Sequence, residues 1–255
     1  MLLKQGKKDN LEYFVFETRK EMGTAAALSI AEAILEELEA KETINMIFAA
    51  APSQNETLAS LVANHKIPWN RINAFHMDEY IGLSENAPQR FGQFLKHAIF
   101  DKVNFRTVNY IDSSAENVFE ECERYSKLLL ENPVDIVCLG IGENGHIAFN
   151  DPDAADFEDD RLVKVAKLDE ICRQQQVNDG CFESLDDVPT HALTLTIPAL
   201  CRGSKMFCTV PSATKRCAVN RTLNGTVNEE CPATVMRKHG FAKLYLDAES
   251  GADLI

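Results

Sequence analysis

Apolar and polar positions along the chain follow two periods that alternate from the first residues to the last. Residues 18–41 carry apolar side chains about every 3.6 positions, which predicts a helix with one buried face. Shorter apolar runs have the length of strands, at residues 44–50, 71–76, 134–140, 191–196, 205–210 and 241–247. Four further helices are predicted, at residues 56–64, 90–100, 116–130 and 214–223.

The alternation of strands and helices predicts the fold class. Strands that are apolar on both faces are typical of a parallel sheet covered by helices. We therefore predict an α/β fold, a single Rossmann-like domain over residues 1–255, with a mostly parallel central sheet flanked by helices on both faces. The acidic run at residues 151–160 is interpreted as an exposed loop. In such sheets ligands bind beyond the carboxyl ends of the strands, so the residues after each run are the candidates for a site.

Charge and composition narrow the classes of partner. The formal net charge of -13 argues against a nucleic acid but leaves a small anionic substrate open. No apolar run is long enough to span a membrane, and the first ten residues lack the apolar core of a signal peptide. The eight cysteines are scattered without a C-x-x-C pair, which favours free thiols over disulfides or a zinc site. These features predict a cytoplasmic protein.

The stretch VCLGIGENGHIAFND, residues 137–151, ends an apolar run in three glycines, a histidine and an aspartate. The glycines formally match the fingerprint of a dinucleotide site, but that motif works by leading directly into a helix, and no helix pattern follows here. We interpret the glycines as a sharp turn that presents His146 at a cleft, with Asp151 close enough to orient the imidazole ring. A lone histidine is also often structural, so the sequence leaves both roles open.

Two other strand ends carry candidate chemistry. Asp78 and Glu79 follow the run at residues 71–76, and because neighbouring side chains point in different directions only one is expected to face a substrate. After residues 44–50, Ser53 and Glu56 have the spacing of a capping box at the start of a helix, which is also a favourable place for an anion.

Two basic residues are candidates for holding a phosphate. Lys215 follows the run at residues 205–210, and Arg173 lies in the segment CRQQQV. For both, the alternative is an ordinary surface charge in contact with solvent.

Four stretches together resemble the glucosamine-6-phosphate deaminase (isomerase) family, in a superfamily that also holds 6-phosphogluconolactonases and ribose-5-phosphate isomerases. The stretches are AFHMDEYIGL, LGIGENGHIAFNDP, DDVPTHALTL and VPSATK, in the order of the family. The resemblance implies conversion of glucosamine 6-phosphate to fructose 6-phosphate and ammonia, an enzyme classed as a hydrolase, without a metal or organic cofactor. Assembly into a homo-oligomer stays open.

Carried over by position, the resemblance implies four residues of the reaction. Asp78 takes the C2 proton and returns it at C1, and His146 opens the sugar ring. Asp151 stands where the family has a glutamate that pairs with this histidine, and Asn144 stands where many members have aspartate.

The sequence departs from the family where the phosphate binds. The family loop is rich in glycine and threonine, whereas this chain has APSQNE, so we expect the side chains of Ser53 and Asn55 to replace backbone contacts. The family's phosphate-binding arginine has no match at residues 177–182. Two alternatives therefore stay open: an isomerase or lactonase of another sugar phosphate, and a sugar-phosphate sensor without catalysis.

Overall fold

Two sheets and seven α-helices form the framework of the protein, whose computed structural model describes residues 1–255. The strands are β1 (Leu2–Lys8), β2 (Leu11–Phe16), β3 (Ile44–Phe48), β4 (Ile72–His76), β5 (Asp78–Tyr80), β6 (Thr107–Asn109), β7 (Ile136–Leu139), β8 (Val163–Lys167), β9 (His191–Leu195), β10 (Lys205–Val210) and β11 (Ala242–Asp247). The helices are α1 (Arg19–Ala40), α2 (Asn55–Val62), α3 (Phe91–Leu95), α4 (Val118–Glu131), α5 (Glu170–Asn178), α6 (Ile197–Cys201) and α7 (Arg216–Asn224). No helix is long and apolar enough to cross a membrane.

The larger sheet confirms the predicted fold class. It has eight strands in the order β1-β2-β11-β10-β7-β3-β4-β6, and all neighbours are parallel except the β1–β2 hairpin. Its central strands are buried on both faces: in β3 the side chain of Ile47 joins one apolar cluster, whereas Met46 and Phe48 join the other. Helices α1, α2 and α3 cover the second cluster, and α4, α6 and α7 cover the first. This two-sided burial explains the nearly continuous apolar runs in the sequence.

Residues 191–196 form a strand, as predicted, but this strand lies outside the parallel sheet. They form β9, the central strand of a separate antiparallel sheet in the order β5-β9-β8. The amide N–H of Leu195 donates to the carbonyl of Met77, which fixes this small sheet beside the end of β4. An apolar run indicates that a strand is buried, but it does not indicate which strand it pairs with. β9 is as buried as the central strands of the larger sheet.

The acidic run at residues 151–160 is a loop, as predicted, but it is not fully exposed. The side chains of Asp151 and Asp159 are buried. Lys164 reaches into this loop, where its ammonium donates to the carbonyl of Ala154 at 2.6 Å and lies 3.2 Å from the Asp159 carboxylate. Buried carboxylates are stabilised by such partners, so this loop is part of the folded structure.

The N-terminal hairpin was not predicted, whereas α1 matches the helix predicted at residues 18–41. β2 lies parallel to β11, so its carboxyl end reaches the same edge of the sheet as those of β3, β7 and β10. Thr18 then begins α1 with a reciprocal capping box, in which its hydroxyl accepts from the Glu21 N–H and the Glu21 carboxylate accepts from the Thr18 N–H. All eight cysteines are unpaired.

Candidate active site

A cavity lies beyond the carboxyl ends of β3, β7 and β10. Its wall is formed by Ala49–Ser53 after β3, by Gly140, Ile141 and Gly142 after β7, and by the turn that follows β10. The chain runs from β3 outward to β4 and β6 and then crosses to β7 on the other side of β3, so the cavity lies where the strand order reverses. This is the position at which open α/β sheets bind ligands.

The Asp78 carboxylate opens into this cavity. Asp78 is the first residue of β5 and is 7% exposed. Its carboxylate accepts no hydrogen bond from the chain. Burial, with a smaller contribution from the negative charge of Glu79, raises the pKa of Asp78 well above the usual range for aspartate. A carboxylate with a raised pKa and no protein partner is suited to exchanging protons near neutral pH.

The Glu79 carboxylate points away from the cavity and serves the fold. One of its oxygens accepts from the N–H groups of Tyr80 and Phe91, and the other accepts from Gly92 at 2.9 Å. It therefore satisfies the free amides at the start of α3. The alternation of side chains along β5 separates the two acids, so only Asp78 of the pair faces the cavity.

A buried histidine fixes the backbone that carries Asp78. His76 Nδ1 donates to the Asp78 carbonyl at 2.9 Å, and its Nε2 accepts from the Ile111 N–H at 2.9 Å. The Tyr125 hydroxyl also contacts the backbone of His76. Burial lowers the pKa of His76 to about 4, so the ring is neutral at physiological pH and keeps this single tautomer.

The buried His76 predicts an acid sensitivity of the fold. Its pKa falls from about 6.5 in the unfolded chain to about 4 in the folded protein, so the unfolded state binds more protons between these values. As the pH falls from 6.5 to 4, this residue alone is expected to cost about 3 kcal/mol of the free energy of unfolding. Urea unfolding at several pH values should show a smaller decline for His76→Gln than for the wild type. His65→Gln, at an exposed histidine, should leave the decline unchanged.

The three glycines after β7 form the turn predicted from the sequence, and no helix follows it. Gly145 adopts a positive φ of 95°, a conformation that favours glycine. The His146 ring lies directly against Gly142, where an added Cβ would come within 2.2 Å of the ring. The turn thus presents His146 to the cavity, in which Asp78 also lies.

Asp151 holds the imidazole from behind. His146 Nδ1 lies 2.9 Å from Asp151 Oδ1, which leaves Nε2 without a protein partner. The Asn144 amide donates to Asp151 at 2.9 Å and to Asp169 at 2.8 Å, and the Asp169 N–H donates to the second oxygen of Asp151. Burial alone would raise the pKa of Asp151, but the His146 ring and these donors hold it below its usual value. Asp151 is thus an ionised anchor with a donor on each of its two oxygens, and Asn144 is its support.

The contact between Gly142 and His146 predicts a large effect of one methyl group. In Gly142→Ala the new Cβ cannot share the space of the ring, so the imidazole must move away from the Asp151 carboxylate. A displacement of about 1 Å at a reacting group can cost about 10²-fold in rate, and we expect a loss of turnover of about that size. Gly240→Ala, at a glycine with open space around it, is the matched control and should keep full activity. Wild-type activity in Gly142→Ala would contradict this account of the turn.

A buried cation lies at another part of the wall. Lys215 is 5% exposed, its Nζ atom has no hydrogen-bond partner, and it lines the cavity. Burial lowers the pKa of Lys215, although the negative charges of Asp179 and Glu143 act in the opposite direction. A buried ammonium without a partner is costly, and an anionic ligand in the cavity would relieve that cost.

The turn that carries Lys215 is strained. Ser212 has a φ of 87°, an uncommon value for a residue with a side chain, and its N–H donates to Asp247 at 3.0 Å. Strain of this kind persists where the surroundings enforce it, often at sites that bind ligands. The turn places Ser212, Thr214 and Lys215 on the same cavity wall.

The glycine-free loop after β3 is shaped by a buried glutamine. The Gln54 amide donates to Ser53 Oγ at 3.1 Å and to the Leu139 and Thr209 carbonyls, and its oxygen accepts from the Thr209 hydroxyl at 3.0 Å. The predicted capping box is wrong, because α2 begins at Asn55 without a side-chain cap, and Glu56 instead lies 2.8 Å from the Arg19 guanidinium.

The structure brings together some of the predicted site residues and not others. Asp78, His146, Ser53 and Lys215 line the cavity, with Asp151 and Asn144 behind the histidine. The expectation for Asn55 and Arg173 is corrected. Asn55 is exposed outside the cavity, and the Arg173 guanidinium instead donates to the carbonyls of two residues in the next loop, Leu185 and Val188.

Several residues of the wall were missed by the sequence analysis: Arg19, Gln175, Gln176, Asp179, Ser212 and Thr214. A signal existed for Arg19, because it follows the apolar run LEYFVF, which was not identified as a strand. Gln175, Gln176 and Asp179 belong to α5 and its end, a helix that has no strong apolar period.

Comparison with known proteins identifies similar sequences over most of the chain. The family described as glucosamine-6-phosphate isomerases/6-phosphogluconolactonase matches residues 17–245. A glucosamine-6-phosphate deaminase of Bacillus cereus strain B4264 is 30% identical over 240 residues, which cover 94% of this chain and 88% of that protein. One from Bacillus thuringiensis strain Al Hakam has the same identity and coverage.

Solved structures share the fold. A monomeric glucosamine-6-phosphate deaminase superposes with a TM-score of 0.86 at 27% identity, covering 94% of this chain and 98% of that one. The 6-phosphogluconolactonase of Trypanosoma brucei has a TM-score of 0.79 at 18% identity, covering 99% of this chain and 100% of that one. The resemblance read from the four sequence stretches is confirmed by these matches.

Proposed function

Because the chain belongs to the family of glucosamine-6-phosphate isomerases and 6-phosphogluconolactonases, we propose that it converts glucosamine 6-phosphate and water to fructose 6-phosphate and ammonia. The family consists of enzymes that act on sugar phosphates. The observation that carries the specific proposal is that one cavity holds both an unbonded carboxylate, Asp78, and an unbonded ammonium, Lys215. A substrate with an anionic end and an acidic C–H bond would engage both groups.

Lys215 binds the phosphate group. Its buried ammonium gains a charge-assisted hydrogen bond when the anion enters, and such bonds are roughly twice as strong as neutral ones. Ser53 lies on the same wall, and its hydroxyl supplies a further donor. This contact orients the sugar with its reacting carbons toward the remaining groups of the cavity.

His146 opens the pyranose ring. The C1–O5 bond breaks while the anomeric hydroxyl loses its proton and the ring oxygen gains one, and a single imidazole can transfer both protons. Because Nδ1 faces Asp151, Nε2 is the nitrogen that exchanges protons with the sugar. Asp151, held ionised by its donors, stabilises the imidazolium that forms between the two transfers.

Asp78 then moves a proton between neighbouring carbons. It removes the C2 proton, the electrons of that bond form a double bond between C1 and C2, and the aldehyde oxygen takes up a proton from solvent. Return of the proton from Asp78 to C1 gives the protonated imine at C2, which water hydrolyses to the ketone with release of ammonium, that is, ammonia and the proton taken from solvent. The raised pKa of Asp78 suits both halves of this transfer, since the carboxylate must accept the proton and then release it.

A substrate panel tests this proposal against its alternatives. The panel contains glucosamine 6-phosphate, glucose 6-phosphate and 6-phosphogluconolactone, with ammonia, ketose and acid release measured in parallel. We expect ammonia and fructose 6-phosphate in equal amounts from the first compound, without an added metal or cofactor. Turnover of only the lactone or only the amine-free sugar would replace the proposal with the corresponding lactonase or isomerase. Binding of glucosamine 6-phosphate without any turnover would favour a sensor.

A further inference from the structure

Arg19 lies on the cavity wall, although none of the sequence stretches that identify the family contains it. It is the first residue of α1 and reaches the loop after β3, where its Nη2 donates to the Pro52 carbonyl. Its Nε lies 2.8 Å from the Glu56 carboxylate. Its Nη1 donates no hydrogen bond within the chain, so part of the guanidinium is available to a ligand.

The packing of two helices brings Arg19 to this place. Gly23, one turn further along α1, contacts the start of α2 so closely that an added Cβ would lie 2.4 Å from the Glu56 Cβ. Glycine is unfavourable inside a helix by about 0.5–1 kcal/mol relative to alanine, and the close approach explains its presence here. The two helices are thus held together at the point where Glu56 orients the Arg19 side chain.

Arg19 lies near the Lys215 side of the cavity. It shares a second, adjacent hollow with Ser212, the strained residue three positions before Lys215. Arg19 also contacts Pro52, and the following residue, Ser53, lines the cavity too. Arg19 therefore lines the same cavity as the buried ammonium and lies next to the turn that carries it.

The negative charge of a sugar phosphate is larger than Lys215 alone can neutralise, so a second cation beside Lys215 would favour binding. A phosphate monoester carries about -1.5 to -2 charges near pH 7, whereas Lys215 supplies one positive charge and Asp179 adds a negative one to the wall. The loop after β3 has no glycine to bring bare backbone close to the anion. Arg173, the other cation considered from the sequence, is bonded elsewhere.

We propose that Arg19 is a second phosphate-binding residue of this site, acting together with Lys215 and oriented by Glu56. The inference rests on the proposed function in taking the ligand to be a sugar phosphate. A guanidinium offers several donors in a fixed plane, so one edge can stay on Pro52 and Glu56 while Nη1 turns toward a phosphate oxygen. Binding, not proton transfer, is the step that it serves.

Titration with inorganic phosphate tests the assignment without turnover. We expect the dissociation constant of phosphate, measured by calorimetry, to rise about tenfold in Arg19→Ala, with a partial recovery in Arg19→Lys. Glu56→Gln keeps an oxygen that can accept from Arg19 Nε and removes only the charge that competes with the phosphate, so this variant is expected to bind phosphate at least as tightly as the wild type. Arg106→Ala removes an exposed arginine at the far edge of the sheet and is the matched control.

The kinetics of glucosamine 6-phosphate give a second measurement. In Arg19→Ala the KM should rise about tenfold while kcat changes less than threefold, a pattern that a general loss of folding would not produce. Phosphate binding in Arg19→Ala equal to that in Arg106→Ala would overturn the role of Arg19 and leave the proposed function intact if Lys215→Met still weakens binding. If the wild type itself does not bind phosphate, the assignment of Arg19 and the assignment of the cavity as a phosphate site are both wrong.

Discussion

Replacing Asp78 by asparagine is expected to lower kcat for ammonia release by about 10²–10⁴-fold, the usual contribution of a positioned proton-transfer group. The amide keeps the size of the side chain but cannot accept the C2 proton. Because the wild-type carboxylate accepts no hydrogen bond from the chain, its replacement leaves no protein donor without a partner. KM should therefore change little.

The same substitution is expected to stabilise the folded protein. The folded-state pKa of Asp78 is raised, so the folded protein binds this proton more tightly than the unfolded chain, and ionisation at neutral pH costs stability. Asparagine removes that cost, and thermal unfolding at pH 7 should show a higher Tm than for the wild type. Asp160→Asn, at an exposed aspartate, is the control and should change neither activity nor Tm.

The pH dependence of the wild type follows from the same group. The base must be ionised in the free enzyme, so kcat/KM should fall on the acid side at a pH above the ordinary range for aspartate. An acid limb at the ordinary position for a solvated carboxyl group, or an active and unstabilised Asp78→Asn variant, would contradict the assignment of Asp78 as the base.

The second large effect is expected for Lys215→Met, which keeps the length of the side chain and removes its charge. Loss of a buried charge that pairs with a ligand costs about 2–5 kcal/mol, so the KM for the sugar phosphate should rise about 10²-fold or more. The free protein should become more stable, because burial lowers the folded-state pKa of Lys215 and the buried charge costs stability at neutral pH.

Stabilisation by a ligand separates the effect of Lys215 on phosphate binding from its effect on the stability of the free protein. Inorganic phosphate should raise the Tm of the wild type and should leave the Tm of Lys215→Met unchanged, since a ligand stabilises only the state that binds it. An equal phosphate-induced shift in both proteins would show that the anion binds elsewhere. Lys66→Met removes one positive charge from the exposed surface and is the matched control, in which phosphate should raise the Tm as in the wild type.

Much of the fold could be predicted from the chain because the central strands are buried on both faces. Continuous apolar runs and the helices between them located β3, β4, β7, β10 and β11 within a few residues. The prediction failed where the pattern says nothing about partners. β9 is as apolar as a central strand, yet it pairs with β5 and β8 in the small antiparallel sheet, and only the structure shows this pairing.

The site was predictable where a residue follows a recognised strand. His146, Asp78 and Lys215 were found in this way, and the structure places all three on one cavity. Arg19 was missed because β2 was not recognised, although the same rule applies to it. Arg173 carries the positive charge that a phosphate site needs and lies in a helix beside the cavity. Its guanidinium, however, donates to two loop carbonyls, and the spacing of residues in the sequence does not predict such a contact.

Which of the two acids, Asp78 or Glu79, faces the cavity could not be predicted from the sequence. Two adjacent acids at a strand end allow either to face the ligand, and their order in the sequence does not decide between them. The three backbone donors around Glu79 decide it, because a carboxylate that satisfies the start of α3 is not free to act as a base.

Transfer of a proton from C2 to C1 by the Asp78 carboxylate can be followed with glucosamine 6-phosphate deuterated at C2. The reaction is followed by nuclear magnetic resonance with wild-type protein and Asp78→Asn. We predict that the wild type forms fructose 6-phosphate with equimolar ammonium, and that the deuterium leaves C2 for C1 or solvent, whereas Asp78→Asn retains it in unreacted substrate. Ammonium release with deuterium still bound at C2, or no consumption of the substrate by the wild type, would exclude proton transfer by Asp78 as the route of the reaction.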